Sequence, residues 1–328
     1  MKRQTIKANY IETIDWLGGN IVDWVCGGQL YSAEGENSQI ATYHYNFNFN
    51  GCITSQHREY VFVYERLGTK GLLLKNGELL REVNRSYYHA NDYEYPAAFI
   101  TRDNKTYLIH CPQSYCQIDF EDVETGELVT NISERRPSDV FHSRLSISPD
   151  GKYLMVCGWL LHPLDIVELF NVEECLKNPL LLDKSLLCPE FGTEISSASF
   201  IDNDRVLIAS SDEEPFDDEV LPILPQKHIA IWNFKTNELS EPVQVNAEIG
   251  NLFAINDKQA WDTFKFPKLI NLETGEVQIK FEEVFSGLQC SSIYYDIEKN
   301  PQICFDKNSG KIAIKTDNET VEVFSYSL

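Results

Sequence analysis

The chain has 328 residues, of which 43% are hydrophobic and 12% aromatic, and only 2 are methionine. Its formal net charge is −22, from 50 acidic and 28 basic side chains. This charge disfavours direct binding to nucleic acid, which requires a basic patch, and it favours a cationic partner. Abundant aromatic residues with few methionines are typical of β-sheets rather than helical cores.

The first residues predict no secretory signal. Met1-Lys2-Arg3 is basic, but residues 4–15 contain neither an apolar core nor a cleavage site. No apolar run approaches the length of a membrane span. The 9 cysteines are scattered and odd in number, which favours reduced thiols over a disulfide framework. We therefore expect a cytoplasmic protein that contacts no membrane.

Short β-like runs and turn signals repeat along the chain. Polar turns such as residues 148–152 separate the first two runs of a unit, and turns with Gly or Asn, such as residues 76–78, separate the last two. The mean spacing is about 47 residues, which is typical of propeller blades. The expected units start near Gly18, Gly51, Pro96, His142, Ser196, Ile249 and Gln289.

This pattern predicts an all-β fold, a single β-propeller over residues 1–328 with about seven four-stranded blades. Six or eight blades also fit the uneven spacing. The last unit offers three strands, so we expect residues 5–14 to supply its fourth strand and close the ring. Helical periodicity is nearly absent, and the best candidate, residues 172–178, is ended by Pro179.

Two motifs resemble those of a known family. The Ser-Pro-Asp-Gly-Lys turn at residues 148–152 resembles the corresponding turn of WD-repeat and YVTN-type β-propellers. Residues 228–233, followed by 236–238, resemble the third strand of a WD repeat, with Asn233 where the family has Asp. The chain lacks the Gly-His dipeptide, so the His–Asp network of true WD repeats is not expected. The resemblance implies ligand binding on the face that carries the longer loops.

We call this side the loop-rich face: it carries the loops between strands two and three of each blade and the connections between blades. Long segments fall there, at residues 85–95, 134–142, 158–163 and 211–226. Loops on rigid scaffolds often carry function, and aromatic and acidic side chains suit a protein interface. The candidate partner-binding residues are Tyr87, Tyr88, His89, Asp92, Tyr93, Tyr95, Arg135, Arg136, His142, Trp159, His162, Asp212, Glu213, Glu214, Phe216, Asp217, Asp218 and Glu219.

No recognised catalytic or cofactor motif is present in the sequence. Gly18-Gly19 and Gly27-Gly28 are isolated doublets, and there is no nucleophile elbow. His110, Cys111 and Cys116 are fewer ligands than zinc normally takes, and residues 212–219 lack the spacing of a calcium loop. We therefore predict no cofactor, no metal site and no catalytic residue.

The leading hypothesis is a non-catalytic scaffold that binds a macromolecular partner through the loop-rich face. One version is an acidic inhibitor or immunity-type protein that caps a basic toxin or nuclease, since negative charge speeds such association. The sequence leaves two alternatives open. One is a lactonase- or hydrolase-like enzyme acting at the central channel, with the candidates His89, His142 and His162. The other is a small-molecule or sugar-binding propeller with a stacking platform of Tyr93, Tyr95 and Trp159.

Overall fold

The computed structural model describes residues 2–32, 35, 37–160, 164–184, 191–216 and 221–326. Within these residues, seven small antiparallel sheets follow one another around a central axis. The predicted all-β propeller and its seven blades are therefore confirmed. No helix in these ranges is long and apolar enough to cross a membrane.

The first three blades occupy roughly the first 130 residues. Blade 1 contains Asp15–Leu17, Asn20–Asp23, Gln29–Tyr31 and Asn37–Gln39. Blade 2 contains Gly51–Thr54, Tyr60–Tyr64, Lys70–Lys75 and Glu78–Asn84. Blade 3 contains Ala98–Arg102, Lys105–His110 and Asp119–Asp122, with a single bridge from Glu121 to Leu128 in place of a fourth strand.

The remaining four blades complete the ring. Blade 4 contains Val140–Phe141, Ser146–Ile147, Tyr153–Leu160 and Leu164–Asn171, followed by the α-helix Val172–Lys177 and the 3-10 helix Pro179–Asp183. Blade 5 contains Ile195–Phe200, Arg205–Ser210, His228–Asn233, Glu238–Leu239 and Val243–Gln244. Blade 6 contains Leu252–Ala254, Gln259–Asp262, Lys268–Asn271 and Val277–Lys280, and the 3-10 helix Ile297–Lys299 follows it. Blade 7 contains Ile303–Asp306, Lys311–Asp317, Thr320–Ser325 and Lys2–Lys7.

Three blades depart from the four-stranded plan: blade 3 has three strands, blade 4 has a split inner strand, and blade 5 has five strands. In blade 4 the inner strand is split, since Val140–Phe141 and Ser146–Ile147 both pair with Tyr153–Leu160. The helix Val172–Lys177 follows its last strand, as predicted, because Asn171 caps it and Pro179 prevents its continuation. The expected unit start near Gln289 also differs from the structure, in which blade 7 begins only at Ile303.

The ring is joined by the first strand. Lys2–Lys7 pairs antiparallel with Thr320–Ser325, so this strand lies three residues earlier than the expected start at residue 5. Arg3 and Thr5 donate to the Glu322 carboxylate at 2.9 Å each. Residues 8–14 run on as a loop toward blade 1. The pairing covers the backbone edge of Thr320–Ser325, which would otherwise be open.

The hydrophobic core lies between neighbouring blades. Trp232 packs between blades 4 and 5, and Trp261 packs between blades 6 and 7, where its indole N–H donates to the Gly310 carbonyl at 2.9 Å. Some contacts between inner strands are polar. The hydroxyls of Ser197 and Ser199 accept hydrogen bonds from the backbone N–H groups of blade 6 at 2.9 Å each. The blades thus form a rigid support for the loops.

Candidate functional site

A layered aromatic cluster lies beneath the loop-rich face. Phe141 and Trp159 stack with ring centroids 3.9 Å apart, and Tyr115 stacks on Phe141 at 4.3 Å. Tyr93 meets Phe141 edge-on at 5.5 Å. Tyr88 covers the cluster from outside at 6.0 Å from Phe141 and remains 45% exposed. The cluster therefore fixes the position of an exposed aromatic surface.

The predicted stacking platform of Tyr93, Tyr95 and Trp159 is wrong. All three side chains are buried, since Phe141 covers the indole of Trp159 and the Arg85 guanidinium covers both tyrosines. The Arg85 carbon centre lies 4.5 Å from the Tyr93 ring centroid and 5.0 Å from that of Tyr95. These residues support the loop and offer no open surface to a sugar.

Arg85 also determines the shape of the segment 85–95. Its guanidinium donates to the backbone carbonyls of Gly68, Ala90, Tyr93 and Glu94, at 2.6 to 3.2 Å. A planar group with several donors is suited to holding irregular backbone in one conformation. The tip of this segment carries Tyr87, which is 84% exposed.

Two further candidates, Arg135 and His142, are interior residues rather than contact residues. Arg135 donates to the Asp183 carboxylate at 2.5 Å and reaches that of Asp119 at 3.4 Å. Burial lowers the pKa of His142 to about 4, so its imidazole is neutral, and Nε2 lies 3.1 Å from the Cys116 carbonyl. The sequence does not show that these two side chains are buried, because the residues that surround them lie far away along the chain.

The other candidates are at the surface wherever the structure describes them. His89 Nδ1 lies 2.6 Å from the Asp92 carboxylate, and both groups are partly exposed. Arg136 is exposed, and so are Asp212, Glu213 and Glu214. The Phe216 side chain is 56% exposed. His162, Asp217, Asp218 and Glu219 lie outside the described residues.

Sequence reasoning missed a segment that crosses this face, residues 288–300, which we call the strap. The Ser292 N–H donates to the Asp165 carboxylate at 2.9 Å, and its hydroxyl donates to the same carboxylate. The Tyr294 N–H donates to the Asp92 carbonyl at 2.7 Å. The strap therefore leaves blade 6, contacts blade 4 and the segment 85–95, and then reaches blade 7. One feature could have indicated the strap: the connection between Lys280 and Ile303 is unusually long.

The strap covers the central channel. A cavity of about 750 Å³ is lined by inner strands of the blades, and Gln289 and Tyr294 of the strap form part of its wall. Arg66 fixes the strap there, because its guanidinium donates to the Tyr294 hydroxyl at 2.8 Å and to the Asn300 carbonyl at 3.1 Å. Within the described part of the chain, no histidine lines this cavity. The candidates His89 and His142 are therefore not brought together at the channel.

The sequence predicts reduced cysteines and no metal site. The 8 cysteines in these ranges are free thiols. Cys111 is buried, and Cys116 lies 3.3 Å from the Ser114 hydroxyl. Across the same ranges, no group of three or more His, Cys, Asp or Glu side chains is placed to hold a metal ion.

Eight of the fifteen exposed large apolar side chains among the described residues lie in three segments of the loop-rich face. These segments are residues 85–95, residues 211–226 and the connection that contains the strap. The exposed members are Tyr87, Tyr88, Phe216, Leu221, Ile223, Phe285, Leu288 and Tyr295. Among the described residues, the short turns of the opposite face carry no such side chain. We call the eight residues the exposed apolar set.

The strap contacts the first of these segments directly. Tyr294 hydrogen-bonds to Asp92 of the first segment, and Ile293 forms a β-bridge with Tyr93. The first segment and the strap therefore form adjoining parts of the loop-rich face.

Comparison with known proteins defines the class by its fold. No family model matches the chain, and no curated protein matches it. Of solved structures, 1028 chains match, so the fold is too widely shared to indicate one function. One match is a chain of the "Crystal Structure of Mitotic Checkpoint Complex", with a TM-score of 0.60 and 9% identity over 99% of this chain and 91% of that chain. The protein has the fold of a seven-bladed β-propeller.

Replacing Asp165 with alanine is expected to release the strap. The buried carboxylate accepts the backbone N–H and hydroxyl of Ser292, and hydrogen bonds to a charged group contribute about 1.5–3 kcal/mol each. Amide hydrogen exchange at residues 291–294 should therefore accelerate at least about tenfold. Asp139→Ala, which removes a partly exposed carboxylate bonded to Tyr115, is the control. Unchanged exchange in Asp165→Ala would show that the strap is held by other contacts.

Glu168 makes the stability of the protein depend on pH. Burial raises the pKa of its carboxyl to about 7, and its nearest titratable neighbour, His142 Nδ1, lies 4.0 Å away. The folded state therefore binds the Glu168 proton more tightly than the unfolded chain does. This stabilisation is complete below the unfolded pKa, near 4.5, and is lost as the pH rises to about 7. The loss amounts to about 3 kcal/mol.

We therefore expect Glu168→Gln to be more stable than the wild type at pH 8, by about 1–3 kcal/mol, because the neutral amide has no charge to bury. The two proteins should be of similar stability at pH 5. Urea unfolding at both pH values measures this, with Glu173→Gln on the exposed helix as control. A variant that is less stable than the wild type at pH 8 would mean that the carboxylate is favourably solvated.

Proposed function

We propose that this protein is a non-catalytic scaffold that binds a partner protein through the loop-rich face. The observation that carries the proposal is the exposed apolar set, whose eight members all lie in loops of the loop-rich face. Tyr87 and Tyr295 are 84% and 86% exposed, and Leu221 is 93% exposed. Clusters of such residues cost solubility and commonly mark interaction sites, and tyrosine is enriched among the residues that dominate binding energy.

The residues packed beneath Tyr87 and Tyr88 also favour binding. Tyr88 rests on the stacked rings of Tyr115 and Phe141, and Arg85 holds the backbone beneath Tyr87. Side chains that are already held in place lose less conformational entropy when they bind. The face can therefore bind a partner without first being ordered.

The charge of the protein indicates the kind of partner. Glu213 and Glu214 are exposed near Phe216 in the sequence, and the exposed Asp212 carboxylate lies 3.8 Å from the Lys227 ammonium. Together with the net charge of −22, this acidic surface would steer a basic protein toward the face. The proposed partner is a basic protein met in the cytoplasm, and an inhibitor that caps a basic toxin or nuclease is one form of this function.

Site-specific photocrosslinking in the native host tests the proposal. A photoreactive residue is placed at Tyr87, Leu221 or Tyr295, and at Leu79 as control, since Leu79 is 54% exposed but lies on the outer strand of blade 2. We expect one and the same basic protein to be crosslinked from the three loop positions and not from Leu79. Crosslinks that are absent from all three loop positions, or equally strong from Leu79, would contradict the proposal.

A further inference from the structure

The central cavity has the size and lining of a small-molecule site. Its volume of about 750 Å³ falls within the usual range for such sites. Five blades contribute partly exposed apolar side chains to its wall: Ile53, Phe99, Ile147, Phe253 and Phe305. We call these five the apolar belt. Each of the five packs on one side against a core cluster and leaves apolar surface toward the cavity, which is a common feature of ligand sites.

One cation on the cavity wall, Arg144, forms no direct ion pair with a described carboxylate. Its Nη1 donates to the Asn251 side chain at 2.6 Å and to the Ser196 carbonyl at 2.9 Å, and its Nε donates to the Cys157 carbonyl at 3.2 Å. Its Nη2 has no hydrogen-bond partner, and among the described residues no carboxylate lies within 4.0 Å of the guanidinium. The Arg144 backbone has a φ of 45°, an unfavourable conformation for a residue with a side chain.

A second cation, Lys307, lies on the wall near the turns of the opposite face. Its ammonium donates to the carbonyls of Ala254 and Ile255, at 2.6 and 3.3 Å. An ammonium has three donors, so one N–H remains, and no described carboxylate lies within 4.0 Å of it. Burial lowers the pKa of Lys307 to about 8, which leaves it mostly charged at neutral pH.

The carboxylates on the same wall do not neutralise these cations. Glu94 is the partner of Arg66, with its Oε1 3.9 Å from the Arg66 Nε. Asp15 accepts hydrogen bonds from the Thr54 hydroxyl at 2.6 Å and the Trp16 N–H at 2.8 Å, and burial raises its pKa to about 6. Partly buried cations that have no carboxylate in direct contact can pair with a bound anion, and such a pair would stabilise the complex.

We propose that the central cavity binds a small organic anion with an apolar body. The body would lie against the apolar belt, and the anionic group would pair with Lys307, while Arg144 would add to the positive potential of the cavity. Charge-assisted hydrogen bonds of this kind are stronger than neutral ones. The class comprises aliphatic or aromatic carboxylates and sulfonates. The proposal does not depend on partner binding at the loop-rich face.

The test is a fluorescence titration of the full-length protein with the aromatic sulfonate 8-anilino-1-naphthalenesulfonate. We expect saturable binding of one molecule per chain, with decanoate competing at lower concentration than neutral decanol. Lys307→Gln should weaken the binding about tenfold, which corresponds to the loss of one charge-assisted contact. Lys177→Gln removes the same charge from the exposed helix and should have no effect. Arg144→Gln should weaken binding too, provided that circular dichroism shows it folded.

Two results would overturn the proposal. One is an affinity that Lys307→Gln leaves unchanged, since the anionic group would then not be recognised by the cavity. The other is loss of the signal when Tyr87, Leu221 and Tyr295 are all replaced by serine, which would place the probe on the loop-rich face. Because crosslinking to a partner is measured separately, failure of this site and failure of the proposed function are distinguishable.

Discussion

Replacement of Arg135 by methionine is expected to lower the free energy of unfolding by about 3–5 kcal/mol, the range for breaking a buried ion pair. Arg135 is 5% exposed and lies between the carboxylates of Asp119 and Asp183, which are themselves buried. Its guanidinium also donates to the carbonyls of Ile118 and Thr130. The variant leaves two buried carboxylates without their cation, at the junction between blade 3 and the helical part of blade 4.

Arg136→Met provides a matched control for this prediction. Arg136 is the next residue, carries the same charge and is exposed, with its guanidinium on nearby backbone carbonyls. Its replacement should change the free energy of unfolding by less than about 0.5 kcal/mol. Chemical denaturation of both variants measures the difference. If Arg135→Met lost no more than Arg136→Met, the buried ion pairs would not stabilise the junction.

Deletion of residues 2–7 is the second large effect that we expect. These residues form the outer strand of blade 7, and removing them exposes the backbone edge of Thr320–Ser325. It also removes Ile6 from a core that includes Val321 and Val323. We expect the free energy of unfolding to fall by about 5 kcal/mol or more, which is a large fraction of the stability of a typical protein. We also expect the truncated chains to associate with one another through the open edge.

Thermal unfolding and size-exclusion chromatography together measure this outcome. The control is Lys2→Ala with Lys7→Ala, which shortens two side chains but keeps the backbone pairing. The control should elute at the same volume as the wild type, and its free energy of unfolding should fall by no more than about 1 kcal/mol. A truncated protein with unchanged unfolding temperature and unchanged size would mean that the ring does not need this strand.

Local features were predictable from the sequence because nearby residues determine them. The turn at residues 148–152 forms because the Ser148 hydroxyl accepts the N–H groups of Lys152 and Tyr153, and Gly151 takes a φ of 67°. The helix Val172–Lys177 ends where Pro179 requires it. Repetition of such turns at a blade-like spacing is what made the propeller predictable.

The details of the candidate site depend on contacts between distant residues, and a single sequence does not contain them. Trp159 was expected at the surface, but Phe141 of the neighbouring strand stacks on it. Arg135 was expected to contact a partner, but it forms an ion pair with Asp183 in the helical part of blade 4. The strap could not be placed at all, because Ser292 is held by Asp165, 127 residues away along the chain.

We expect the proposed partner protein to bind the exposed apolar set. The most direct measurement is the affinity of the crosslinked partner for the wild type, for the combined Tyr87→Ser, Leu221→Ser and Tyr295→Ser variant, and for Leu79→Ser on the outer strand of blade 2. We predict that the combined variant binds at least about a hundredfold more weakly, as loss of two or three anchoring side chains implies, while Leu79→Ser binds like the wild type. Equal affinity of the wild type and the combined variant would contradict the account.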